Sequence, residues 1–496
     1  MSSREKREDK LSDYHIRSAR DLLAGLQSGD ISACDLLAHY KARVENLNPA
    51  INAIIATDFP AAEKRAAQAD AALARGENWG PLHGLPMTIK DAIEVAGLPC
   101  TGGAVFWKDH VPTKHAVAVQ RLVDAGAIIF GKTNVPFLSS DIQSYNDVYG
   151  TTNNPWDPTR TCGGSSGGAA AAVAAGLTPM ELGSDIGGSI RSPAHFCGVY
   201  GHKPTYGIVP KVGHMPPAPG DLRESDLSVM GPLGRTAGDL AMELDLVAGA
   251  HGLNAKGWQL SIPEARTKDP KKLRVAVWYD DPYCEIDKAS LTELNKAAQA
   301  LKDAGAQVDE NARPDFTLAE ISELYFMLLH ATTGAGMPPK VVDRWKQTAD
   351  AAAPDDKSHG AMQARGGTLS LGQAPVWWEK REVIRAKWET FFQSYDVVLA
   401  PVVMIPAFKH DHEPSWEKRS LTVNGKERSY MDILIWAGPA VVSYLPATSA
   451  PVGLTPEGLP VNVQIIGPHL EDYTPIAVAE MLEKELGGIK TPPDFG

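Results

Sequence analysis

Between residues 161 and 205 the chain reads TCGGSSGGAAAAVAAGLTPMELGSDIGGSIRSPAHFCGVYGHKPT, with glycine pairs bracketing Ser165, Ser166 and Ser189. Glycine gives up ~0.5–1 kcal/mol of conformational freedom relative to alanine within regular structure. Paired glycines therefore mark unusual backbone angles or main chain that approaches something closely. Any fold this chain adopts has to supply that close partner.

The rest of the chain sets the frame. Helical periodicity runs over 14–30, 33–47 and 59–75 and stops at the turn RGENWGPLHGLP, which predicts an all-helical N-terminal segment. A short strand at 86–89, a helix at 115–125 and a strand at 127–131 then alternate. A helix at 168–176 leads into a strand near 179–183, and LRVAVWYD at 273–280 and DVVLAP at 396–401 add two more strands. This β-α-β rhythm predicts an α/β fold with a mixed, largely parallel central sheet covered on both faces by helices. Stretches 205–235 and 330–376, rich in Pro, Gly and His with little periodicity, read as long loops that wall a pocket.

Several function classes are excluded at this stage. The formal charge of -12 is spread along the chain with no basic run, so nucleic acid and anionic membrane are poor partners. The start MSSREKREDK has no apolar stretch behind it and does not read as a secretory signal. AAAAVAAG at 169–176 falls far short of the roughly 20 residues of a membrane span. Cys34, Cys100, Cys162, Cys197 and Cys284 are scattered and never paired as C-x-x-C, as expected of reduced thiols in a cytoplasmic protein. No histidine spacing suggests a metal, and no cofactor is expected.

Two motif matches fail on context. GAIIFGKT at 126–133 fits a phosphate-binding loop, but the residues between its glycines are themselves the strand, and Pro136 follows Lys132 too closely for a helix to start there. Gly163–Gly167 fits G-x-S-x-G with Ser165 as nucleophile. An elbow of that kind needs a preceding strand, whereas NNPWDPTR at 153–160 is turn sequence.

GGSSGGAAAAVAAG, GSDIGGSIRSPAHFCGVYGHKPT and, upstream, GLPMTIKD together resemble the amidase signature family of serine hydrolases. The resemblance extends through GKTNVPFL, NNPWDP and MGPLGRTAGDLA to GLPVNVQIIGPHLED. It implies one domain over 1–496: a helical segment 1–80, a catalytic core 81–250, a variable pocket-forming region 251–430 and a return to the core at 431–496. Carried over onto the matching motifs, the family's Ser-cisSer-Lys triad falls on Ser189, Ser165 and Lys90. Its oxyanion hole falls on the backbone N–H groups of Ile186, Gly187, Gly188 and Ser189. Asp185 and Arg191 flank that segment as supports or as an ordinary ion pair. Ser139 lines up with a substrate-contacting position, and Asn134 reads equally well as turn chemistry.

The chemistry has a clear requirement. A serine hydroxyl is a weak nucleophile until a base takes its proton. At an ordinary pKa of ~10.4 only about one lysine in a few thousand is neutral at pH 7, so Lys90 must be desolvated to act as that base. The resemblance points to a small-molecule amide or carbamate as substrate, with ester and urethane cleavage following the same acyl transfer, in a monomer or homodimer. Trp377 and Trp378 are available to line an apolar pocket or to fill the core. Amidotransferase components of the same family, which need a partner and an ammonia route, are the alternative. The Pro-rich IVPKVGHMPPAPG after KPTYG departs from their usual segment and favours a free-standing hydrolase. A non-catalytic homologue of the same fold is the remaining reading.

Overall fold

Capped helices come early among the described residues. In the computed structural model, which describes residues 13–496, Ser18, Ser32 and Asp58 each accept a hydrogen bond from the backbone N–H three residues on. They start the helices Ala19–Ser28, Ala33–Ile51 and Phe59–Ala74 by satisfying a donor the helix leaves unpaired. The charged start, MSSREKREDK, lies outside the described residues. The segment is not all-helical as expected: Ile54–Thr57 is a strand. Four residues between two helices carry too little periodicity to show it, and pairing with a distant strand decides the matter.

Eleven strands form one sheet. In chain order they are β1 Ile54–Thr57, β2 Pro86–Lys90, β3 Ile128–Thr133, β4 Met180–Asp185, β5 Tyr200–Lys203 and β6 Val229–Gly234, then β7 Arg274–Val277, β8 Gln307–Asp309, β9 Val397–Pro401, β10 Ala447–Leu454 and β11 Pro460–Ile466. Their order across the sheet is β1-β3-β2-β4-β6-β5-β10-β11-β9-β7-β8. The fold is α/β with a mixed sheet. Parallel pairs occur in two groups, β3–β2–β4 and β9–β7–β8, and both include strands visible from the alternating rhythm. The strands between those groups pair antiparallel.

Lys132 lies inside β3, fully buried, and donates to the Ile93 carbonyl. The G-x-x-x-x-G-K-T match is thus a strand with its lysine turned into the core. Asn134, also fully buried, bonds Asn146 and Thr152 and ties together the turn after β3. Four of the five cysteines are buried and all five are free.

The stretch 330–376 is not a loop. It contains the end of Leu318–Gly334, the helices Pro339–Ala351 and His359–Gly367, and the start of Ala374–Phe391. Several of its prolines and glycines have helical roles. Pro339 begins its helix, where a missing N–H costs nothing. A Cβ on Gly334 would stand 2.9 Å from Gly367 Cα, and one on Gly366 would stand 2.7 Å from the Met327 carbonyl, so these glycines let two helices touch. The stretch before β6, from 204 to 228, does run without helix or strand.

Candidate active site

Lys90 ends β2, between β3 and β4, and is fully buried. Its Nζ lies 2.6 Å from Ser165 Oγ, 2.9 Å from Ser166 Oγ and 3.0 Å from Ser184 Oγ. No carboxylate pairs with it directly among the described residues. Burial pushes the ammonium down to about 7; the negative charges of Asp185 and Glu181 oppose that shift and Lys211 adds to it. At that value roughly half the Lys90 population is neutral at pH 7, against about one in a few thousand for a lysine in water. Desolvation thus brings the neutral amine within reach near pH 7.

The glycines explain how the serines reach it. The Gly164–Ser165 peptide is cis. A Cβ on Gly164 would fall 2.5 Å from the Asp141 carbonyl, so the main chain lies directly against the 141–143 segment. That segment is anchored by a buried network: Asp141 accepts from Tyr430 Oη at 2.6 Å and from Arg419 Nη1 at 2.7 Å. Ser166 then leads into the helix Gly167–Ala174, every residue of which is buried. A Cβ on Gly168 would stand 2.3 Å from the Asn134 amide nitrogen, which fixes how closely that helix sits on the sheet.

Ser189 sits on the turn after β4. The Asp185 carboxylate nucleates this turn, accepting from the N–H groups of Gly188 at 2.9 Å, Ile190 at 3.1 Å and Arg191 at 3.4 Å. Its counter-ion is the Arg191 guanidinium, at 3.0 Å from Nε and 2.9 Å from Nη2, both side chains fully buried. Burial alone would raise the Asp185 carboxyl, but the charge and hydrogen bonds of Arg191 outweigh it and hold the group at about 2. Arg191 also donates to the Gln464 side chain and to the Ala437 carbonyl. Ser166 N donates to Ser189 O at 3.0 Å, which sets the two serine segments side by side. Ser189 Oγ makes no hydrogen bond among the described residues.

One backbone donor differs from expectation. The Gly188 N–H is already given to Asp185, so Gly188 serves the turn through its φ of 92° rather than by offering a free donor. The N–H groups of Ile186, Gly187 and Ser189 bond nothing among the described residues. Tyr325, from the helix Leu318–Gly334, braces this turn: its Oη donates to Ile186 O at 3.2 Å and lies 3.1 Å from where a Gly187 Cβ would be. Nothing in the local sequence marks Tyr325. We expect Tyr325→Phe to lower kcat roughly three- to tenfold with KM nearly unchanged, the loss of about one hydrogen bond, as read from steady-state kinetics. An unchanged kcat would remove Tyr325 from the machinery.

Two further contacts fall outside the sequence expectations. Ser184 Oγ, besides touching Lys90, lies 2.8 Å from His214 Nε2, and His214 comes from the Pro-rich 204–228 stretch. Ser166 donates to the Ser184 carbonyl at 3.2 Å. Ser139 has a φ of 55° and a buried hydroxyl without a partner among the described residues, in the turn after β3. Trp377 and Trp378 lie on the helix Ala374–Phe391. Trp377 packs partly on the core with Lys380 over its ring, and Trp378 is exposed at 42%. Among the described residues no hydrogen bond or ring contact joins either tryptophan to the Lys90 cluster.

The Amidase family model matches residues 35–475. The chain belongs to the amidase family. Relatives of this amidase include a glutamyl-tRNA(Gln) amidotransferase component from Geobacillus thermodenitrificans, 33% identical over 484 residues that cover 92% of this chain and 95% of that one. Among solved structures, a 6-aminohexanoate cyclic dimer hydrolase complexed with substrate superposes with a TM-score of 0.77 at 25% identity, covering 97% of this chain and all of that one. A bacterial aryl acylamidase shares the fold, with a TM-score of 0.80 at 24% identity over 96% and 97% of the two chains. Among the described residues no helix of this amidase is long and apolar enough to cross a membrane.

Proposed function

We propose that this amidase cleaves the C–N bond of small aryl or alkyl amides through an acyl-enzyme on Ser189, with Ser165 and Lys90 as its proton path. One observation carries the reading: a fully buried Lys90, brought by burial to a pKa near 7, lies 2.6 Å from the hydroxyl of Ser165. Ser189 Oγ attacks the carbonyl carbon. Its proton passes to Ser165 while the Ser165 proton passes to Lys90. The carbonyl oxygen becomes an oxyanion and is met by the free N–H groups of Ile186, Gly187 and Ser189, donors held in place by Asp185 before the reaction begins. Lys90 then returns a proton through Ser165 to the nitrogen, the C–N bond breaks and the amine leaves. Water repeats the sequence on the ester bond and frees the acid.

The same acyl transfer extends to carbamates and esters, because Ser189 attacks a carbonyl in each. Likeness to an amidotransferase component over 92% of the chain supports a second reading, in which the site releases ammonia from a primary amide for a partner protein. A fluorophosphonate probe followed by peptide mapping tests the site itself, with one adduct expected, on Ser189. A panel of p-nitroanilides, aliphatic amides, carbamates, esters and glutamine, assayed with the chain alone, then separates the readings. Turnover of anilides by the chain alone supports the free-standing hydrolase; activity confined to glutamine overturns it.

A further inference from the structure

The three hydroxyls around Lys90 are not equivalent, and hydrogen-bond polarity tells them apart. Ser166 Oγ lies 3.2 Å from the Ser184 carbonyl, a group that only accepts, so the Ser166 proton points there. Ser166 therefore receives an N–H from Lys90 at 2.9 Å. Ser184 Oγ lies 2.8 Å from His214 Nε2. The other ring nitrogen, Nδ1, faces the Pro216 carbonyl at 3.4 Å, so in the neutral ring Nδ1 carries the proton and Nε2 is an acceptor. Ser184 then donates to His214 and receives from Lys90 at 3.0 Å. A neutral lysine has two N–H bonds and one lone pair. With both N–H bonds engaged, the lone pair is left facing Ser165 at 2.6 Å.

We propose that His214 is a positioning residue: by accepting the Ser184 proton it directs the N–H bonds of Lys90 to Ser166 and Ser184 and reserves the Lys90 lone pair for Ser165. The inference rests on reading Ser189, Ser165 and Lys90 as the proton path. Burial, together with Lys211 of the same loop and Lys90 of β2, holds the ring of His214 well below the ordinary histidine pKa, and hence neutral. Lys90 itself is faced by Asp185 and Glu181 of β4 and by Lys211. Without an acceptor at position 214, the Ser184 proton turns toward the Lys90 lone pair and competes with Ser165 for it.

The test is the rate at which a fluorophosphonate labels Ser189 between pH 5 and 10, which requires no knowledge of the substrate. In that step the Ser189 Oγ–P bond forms, the P–F bond breaks, fluoride leaves and the serine proton goes to Lys90 through Ser165. His214→Phe is expected to lower the plateau rate roughly tenfold. It also moves the rising limb to lower pH, because a hydroxyl donating to the amine favours the neutral form. His214→Gln, whose amide oxygen accepts, is expected to stay within about threefold of the original rate with the limb unmoved. In a Ser184→Ala background, with no proton left to misdirect, adding His214→Phe changes the rate by less than about twofold. A structural role alone would admit water and move the limb of His214→Phe upward. That result, a His214→Phe variant indistinguishable from the original, or a tenfold loss in His214→Gln, overturns the inference. Failure of the unmodified protein to label at Ser189 would instead bring down the underlying reading.

Discussion

Lys90→Met is expected to lower kcat by ~10³-fold or more while KM stays within about threefold, because on the proposed proton path it removes the base that acts only as the serine proton moves. Ser189→Ala is expected to lose at least as much, and the double variant no more than the worse single one, since the two groups act as a unit. Both are checked by steady-state kinetics on the best substrate of the panel. The pH dependence follows from the direction of the Lys90 shift. Its pKa in the folded protein lies below the ordinary lysine value, at about 7, so the active neutral form is scarce in acid and fills as pH rises through that value. The acid limb of kcat/KM therefore rises through about pH 7. A Lys90→Met variant with near-normal kcat would mean that another group takes the proton.

The second large effect is on stability. Arg191→Leu removes the counter-ion of a fully buried carboxylate and is expected to destabilise the fold by ~3–5 kcal/mol at neutral pH, measured by chemical denaturation. The sign with pH is distinctive. In the original protein Asp185 is held below the ordinary carboxylate value, at about 2, so it contributes stability above about pH 4 that is lost as pH falls toward 2. Without Arg191, burial raises the carboxyl instead, and the deficit against the original protein shrinks in acid. Because Asp185 also binds the N–H groups of Gly188 and Ile190, activity falls even where the variant remains folded. A loss below about 1 kcal/mol, independent of pH, would show that the pair is not what holds the turn.

How much of this was legible in the sequence depended on the range of the forces involved. β2, β3, β4, β7 and β9 are each expected from the sequence, and their observed bounds lie within a few residues of the expected ones. β5 and β6 are not, since YGHK and VMGPLG are buried throughout and show neither alternation nor a β-branched run. The short strand Ile54–Thr57 exists through its pairing with β3, which no local pattern encodes. Helices at 339–351 and 359–367 were hidden by prolines and glycines that in fact start a helix or allow two to touch. In the site, the glycine-serine block announces close main-chain packing, and Lys90, Ser165, Asp185, Arg191 and Ser189 lie in and around it. Tyr325 and His214 reach the same place from a distant helix and an irregular stretch. Their contribution lies in which backbone they meet, and a tyrosine or histidine in isolation says nothing of that.

That Lys90 becomes a neutral amine as pH rises through about 7 is tested most directly by watching the amine itself. In protein labelled with ¹³Cε-lysine, one signal that vanishes in Lys90→Met should titrate with a midpoint near 7, whereas an exposed lysine titrates at ~10.4. Buried Lys203 and Lys211, brought by burial to about 7 and about 8, give signals of their own that persist in that variant. A Lys90 signal that stays in its charged position until about pH 10 would contradict the assignment of this lysine as the base.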